Sequence, residues 1–178
     1  MEYCYNKSNI SDTESAKKLL TKVSEDLSYE LLDSDGCRVL AEAADRGHTE
    51  LCVTLLSSLP SADRLKLILL EKFTALHWAA YQGYTETVSG ILNCLTADQQ
   101  LQLLFTQDSD GITSPHYAAL TGSTETVKIL LDNLRPEQQL MLISVLDNAG
   151  KRASQLAVAG KRKETEKMLK KYKQDADF

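Results

Sequence analysis

A Thr-Glu phrase followed by an apolar pair recurs along this chain. Leu19-Leu20 follow Thr13-Glu14, Leu55-Leu56 follow Thr49-Glu50, Ile91-Leu92 follow Thr85-Glu86, and Leu130-Leu131 follow Thr124-Glu125. A weaker copy places Leu169 after Glu164. The glutamates stand 36, 36, 39 and 39 residues apart. A near-constant spacing of that size marks stacked supersecondary units, each too small to bury its own apolar face.

A second phrase begins twelve residues before each of the last four glutamates. It reads Arg38-Val39-Leu40-Ala41-Glu42-Ala43-Ala44, then Thr74-Ala75-Leu76-His77-Trp78-Ala79-Ala80, then Thr113-Ser114-Pro115-His116-Tyr117-Ala118-Ala119, and finally Arg152-Ala153-Ser154-Gln155-Leu156-Ala157-Val158. In three copies a glycine follows nine residues after the phrase starts: Gly47, Gly83 and Gly122. The small Ala pair lets a neighbouring helix come close, and the glycine supplies a left-handed turn that ends a short helix. The pattern therefore predicts helix, glycine turn, helix in each unit.

Three further segments are variants of one another: 61–68, 96–104 and 135–143. Ser or Thr as N-cap, acids in the first turn, Pro136 as first helical residue and Gln99 closing a Thr-x-x-Gln capping box predict an extra short helix in each.

Thr74 to Glu86 resembles the ankyrin-repeat family, whose Thr-Pro-Leu-His-x-Ala-Ala-x-x-Gly-x-x-Glu pattern stands there nearly intact. The family's finger signature, Asp-x-x-Gly ahead of the phrase, occurs at Asp33–Gly36, Asp108–Gly111 and Asp147–Gly150. The resemblance covers about residues 11–173 and implies an all-α ankyrin-repeat solenoid: helix-turn-helix units with short fingers and an extra short helix per repeat, at a period of 36–39. It divides the chain into a flexible N-terminus at 1–10, a single domain at 11–173 and a flexible tail at 174–178. Within the domain lie a partial repeat at 11–37, repeats starting near 38, 74 and 113, and a C-terminal cap repeat at 152–173.

The chain departs from the family pattern in several places. Ser114-Pro115 replaces Pro-Leu, which predicts poorer filling of the core at the start of that helix. No Asp-x-x-Gly precedes Thr74, so the finger there is expected to be trimmed. Lys161 occupies the usual glycine position, with Gly160 one place early.

At 178 residues with 43% hydrophobic and 25% charged residues, the chain is long enough for a continuous core. Its longest aliphatic run, Leu67-Ile68-Leu69-Leu70, is far short of the roughly 18 apolar residues of a membrane span. These features predict a monomeric cytoplasmic protein with no membrane insertion, the nucleus being the second location considered. The net charge of -5 conceals an asymmetry, because residues 1–150 carry 11 Lys and Arg against 21 Asp and Glu, whereas 151–173 carry 9 against 2. An acidic body repels phosphate backbones, so no nucleic-acid partner is expected. The basic run Lys161-Arg162-Lys163 with Lys167, Lys170 and Lys171 reads either as the soluble face of a capping helix or as a nuclear-import signal.

No phosphate cradle, GxGxxG or HExxH motif is present, and the cysteines Cys4, Cys37, Cys52 and Cys94 lack zinc-ligand spacing. We therefore expect no enzyme activity, no catalytic residues, no metal site and no cofactor. Cys52 aligns with Val88 and Val127 and is expected in the core, while Cys37, beside a finger phrase, is expected at the surface. The row of Glu14, Glu50, Glu86 and Glu125 recurs once per repeat, about 10 Å apart, too far to share an ion. The resemblance gives His77 and His116 the role of linking neighbouring repeats by hydrogen bonds. Trp78 and Tyr117, at one equivalent position, read either as packing between repeats or as aromatic anchors for a partner.

The resemblance also implies non-catalytic binding of a partner protein or peptide on the concave face. The ligand-facing positions it points to are Phe73 and Ile112, then Asp45 and Arg46, Tyr81 and Gln82, Leu120 and Thr121. The alternative is a structural repeat segment of a larger multidomain scaffold that packs mainly against its own chain.

Overall fold

The computed structural model describes residues 34–132 and 134–175, and among these every regular element is a helix. In chain order they are α1 (Ser34–Asp45), α2 (Thr49–Ser57), α3 (Ser61–Ile68), α4 (Ala75–Gln82), α5 (Thr85–Asn93) and α6 (Ala97–Leu104). There follow α7 (Ser114–Thr121), α8 (Thr124–Asp132), α9 (Pro136–Ser144), α10 (Ala153–Ala159) and α11 (Lys163–Asp175). The expected unit around Thr13-Glu14 and Leu19-Leu20, like the expected N-terminal segment 1–10, lies outside the described residues.

The local signals act as their chemistry requires. Thr74 caps α4, its hydroxyl accepting from the His77 N–H, and Gly83 ends the helix at φ 76°. After that turn the Tyr84 N–H donates to the Ala79 carbonyl at 2.9 Å, which closes the C-terminus and starts α5. The same bond forms from His48 to Ala43, from Ser123 to Ala118 and from Arg162 to Ala157.

The units stack in two columns: α1, α4, α7 and α10 form the first, and α2, α5, α8 and α11 the second. Ala43, Ala44, Ala79, Ala80, Ala118 and Ala119 are buried between first-column helices, where larger side chains would hold them apart. Leu55, Leu56, Ile91, Leu92, Leu130 and Leu131 fill the core from the second column. A threonine ladder ties that column together. Thr49 meets Thr87 at 2.7 Å, Thr85 meets Thr126 at 3.0 Å, and Thr124 meets Thr165 at 2.6 Å, all through Oγ1.

The extra helices are α3, α6 and α9. From one equivalent position they bond carbonyls in or just after the second-column helices. Arg64 Nε donates to the Leu59 carbonyl at 3.0 Å, Gln100 Nε2 to that of Leu92 at 2.8 Å, and Gln139 Nε2 to that of Leu131 at 3.0 Å. The Thr96–Gln99 capping box is formed and Pro136 opens α9. The cap of α3 is Pro60, not Ser61, whose carbonyl accepts from Gln99 Nε2 of the next unit.

Two expected fingers are tight turns. Asp108 Oδ1 accepts from the Asp110 and Ile112 N–H groups, and Asp147 Oδ1 from those of Ala149 and Lys151. The fingers join each other through the Asn148 N–H to the Asp110 carbonyl at 3.0 Å. The Asp33–Gly36 phrase is no finger in its described part, because Gly36 lies in the first turn of α1 and is buried. That same turn draws Cys37 into the core at 3% exposure, contrary to the surface position expected of it. Ser114 and Pro115 are both buried, so the start of α7 is filled despite its altered sequence. The Ser114 hydroxyl is left without a hydrogen-bond partner there.

Candidate functional site

Of the expected partner-facing residues, Asp45, Tyr81, Gln82, Leu120 and Thr121 lie on first-column helices, Arg46 just after α1, Ile112 in a finger and Phe73 in the bend before α4. Phe73 ends the short bend before α4, and its ring packs 4.5 Å from that of Trp78 and 5.1 Å from that of Tyr117. Tyr81 meets Tyr117 nearly perpendicular, at 86° and 5.8 Å between centroids. One aromatic group thus spans two units. Trp78 and Tyr117 sit on α4 and α7 at the equivalent position, so the spacing in the sequence carried this signal. Trp78 and Tyr117 are half-buried, and Tyr81 beside them is 42% exposed.

Charged and polar residues flank the rings. Gln82 Nε2 donates to Asp45 Oδ1 at 2.7 Å, joining two of the expected positions across neighbouring units. Arg46 is turned back onto Glu42 at 2.6 Å. Ile112 is half-buried, held by the Asp108 turn, and Tyr117 donates its phenol proton to Asp108 Oδ2. Asp108 itself is nearly buried, and nothing in the one-dimensional pattern marks it apart from the other finger aspartates. Leu120 and Thr121 are half-buried on α7, with the Thr121 hydroxyl turned onto the Tyr117 and Ala118 carbonyls. Phe73 is likewise half-buried. Its ring is a packing element as much as a surface one, because no finger lifts it clear of α4.

The two histidines beneath this surface act as struts. Thr74 donates its N–H to His77 Nδ1 at 3.0 Å, so Nε2 carries the proton and donates to the Thr106 carbonyl of the next unit at 3.2 Å. His116 repeats the arrangement with Thr113 and the Lys151 carbonyl. Burial pushes the His77 pKa down to about 4 and moves that of His116 in the same direction. A neutral imidazole with both nitrogens engaged has no free atom for acid-base chemistry. Burial also raises the Cys37 thiol to about 11 and the Cys52 thiol to about 12, which keeps both protonated and unreactive.

The basic run at the C-terminal end is partly built into the fold. Arg162 lays its side chain over Gly122 and donates to the Leu120 carbonyl, and Lys170 pairs with Glu166 at 2.6 Å. The row of outer glutamates stays exposed at the first turns of the second column, favoured there by the helix dipole.

Helix pairs, left-handed glycine turns and Asp-Gly fingers in register define a repeat solenoid of the interaction-module class. The chain belongs to the ankyrin-repeat family: the family model of ankyrin repeats in three copies matches residues 3–102. The same geometry continues beyond that match through α7 to α11. No protein of curated function matches the sequence significantly. Among 283 significantly matching chains of solved structures is one from the complex of yeast ribosomal protein Rps3 with its chaperone Yar1. It is 25% identical, with a TM-score of 0.65, and the likeness covers 79% of this chain and 95% of that one. The similarity is to Yar1, the ankyrin-repeat member of that complex.

Proposed function

We propose that this chain is a non-catalytic binding module that holds a segment of a partner protein on the concave face between its fingers and first-column helices. The observation that supports this most is the continuous aromatic group of Phe73, Trp78, Tyr81 and Tyr117, partly open to solvent and rimmed by polar side chains. Aromatic side chains offer large contact area with few rotatable bonds, and interface energy concentrates on such anchors. Ankyrin repeats are protein-interaction modules, and the similar chaperone Yar1 is seen complexed with a partner protein, Rps3. The reading extends to a monomer in the cytoplasm or nucleus; the net charge of -5 disfavours nucleic acid as the partner, and no described helix is long and apolar enough to cross a membrane.

The test pairs binding with stability in Tyr81→Ala, Gln82→Ala and Leu120→Ala. Each is expected to melt within about 1 kcal/mol of the wild type, as surface changes do. At least one loses about 2 kcal/mol or more of partner affinity. Normal melting with undiminished binding in all three variants would place the interface elsewhere.

A further inference from the structure

From Phe73 to Val127 the chain contains no lysine and no arginine. All 20 lysines and arginines of the 178-residue chain fall outside this stretch, about one position in six there. The gap takes in α4, α5, α6 and α7, the Asp108 finger and every ring of the aromatic group. Its two histidines are buried, and both ring nitrogens of each are hydrogen-bonded. The stretch does hold five carboxylates: Glu86, Asp98, Asp108, Asp110 and Glu125.

Glu86 and Glu125 belong to the second column and Asp98 to α6, so the carboxylates on the side of the rings are Asp108, which is buried, and Asp110. Asp110 is exposed on the finger, and Asp45 lies across from Gln82 in the preceding unit. The nearest cations in the first column, Arg38 and Arg46, are paired with Asp35 and Glu42. Lys72 and Lys151 stand exposed just outside the stretch, before Phe73 and after the second finger. The Tyr117 phenol donates to the Asp108 carboxylate, which fixes that ring beneath Tyr81. Tyr81 stands nearly perpendicular to that ring and is the most exposed member of the group. The exposed Tyr81 ring, the Asp45 and Asp110 carboxylates and the absence of any cation between Phe73 and Val127 complement positive charge and repel an acidic segment.

We propose that the strip takes a cationic stretch of the partner protein, with an arginine or lysine head on the Tyr81 ring facing the carboxylates of Asp45 and Asp110. The proposal rests on the concave-face reading above and names the chemistry of its occupant. Rising salt weakens this contact, because Asp110 is exposed and Asp45 partly so.

The experiment is an NMR titration of the full chain with three short unstructured peptides, bearing arginine, glutamate or phenylalanine at the same positions. The arginine peptide is expected to shift the Trp78 indole and the Tyr81 and Tyr117 amides, with binding that falls as salt rises. Tyr81→Ala weakens it about three- to fivefold, whereas Tyr81→Phe retains it. The glutamate peptide leaves these signals in place. Shifts from the arginine peptide that map instead to Glu50, Glu86 and Glu125 on the second column overturn the proposal, as does its silence on the strip. If the phenylalanine peptide then binds the strip, the concave reading survives and only the cationic partner is lost; if it is silent too, both fall.

Discussion

The two central units and the last described one are written in the same phrase but differ where a neighbour is present or absent. In the centre His77 and His116 reach the next unit's backbone, whereas Gln155 at the equivalent place only accepts from the Arg152 N–H of its own helix. Ala80 and Ala119 are buried under the following helix, while Val158 in their position is 53% exposed. Thr85 and Thr124 extend the hydroxyl ladder, and Lys163 ends it. The positions that change residue type are those that face the next unit. The phrase thus encodes two things, a helix pair and a stacking contact, and only the first persists where nothing stacks among the described residues.

Core truncation should show this contrast at its largest. Leu131 is fully buried with units on both sides, so Leu131→Ala should cost about 2–5 kcal/mol in denaturant unfolding. Leu169, equally buried but covered from one side, should fall at the low end of that range. Equal losses would show that the last unit is as constrained as the central ones.

The histidine struts give a pH signature confined to the centre. An unfolded histidine takes a proton near its ordinary value of 6.5, while buried His77 resists until about pH 4. Stability is fully present above 6.5 and declines as pH falls through that window, because the unfolded chain binds the proton first. The shift corresponds to about 3 kcal/mol for His77, and His116 acts in the same direction. His77→Gln, which copies the last unit, should flatten the decline between pH 6.5 and 4. An unchanged slope would mean that carboxylates alone govern it.

Smaller effects arise at the turns. Gly122 is left-handed at φ 85°, and a Cβ there would come within 2.5 Å of the Arg162 Cδ. Gly122→Val should cost about 1–2 kcal/mol, read from the melting temperature. Lys161 adopts the same conformation at φ 60° in the last unit, so Lys161→Gly should stabilise by about 0.5–1 kcal/mol. Gly160, a place earlier, is right-handed; a side chain there would strike the Leu120 carbonyl, so the close approach explains this glycine. A destabilising Lys161→Gly would contradict the shared turn geometry.

Much of this was legible because it is local and repeated. The Thr-x-x-His cap occurs twice and the glycine turns at 47, 83 and 122 and the apolar pairs three times or more, all in phase, and each depends only on neighbours within a turn or two. The outcome at Asp33–Gly36 was not legible, because the same four residues serve a finger or open a helix according to what they pack on, and here Cys37 is drawn into the core. The threonine ladder escaped for a related reason. Its partners are the first residue of one second-column helix and the third of the next, as with Thr85 and Thr126, a pairing visible only once the units are stacked. At the candidate site Tyr81 and Gln82 are exposed as the register implied, but Phe73 is half-buried because the missing finger lets it settle against Trp78.

The central claim is that the partner lies against the aromatic strip of the first column rather than the glutamate row of the second. Site-specific photo-crosslinking addresses it directly, with a photoreactive residue placed at Tyr81 or, in a second protein, at Glu86. Both positions are exposed, one on each column, and both variants should fold normally. A crosslink to the partner from position 81 and none from 86 is the expected result. Crosslinking from 86 with position 81 silent would contradict it.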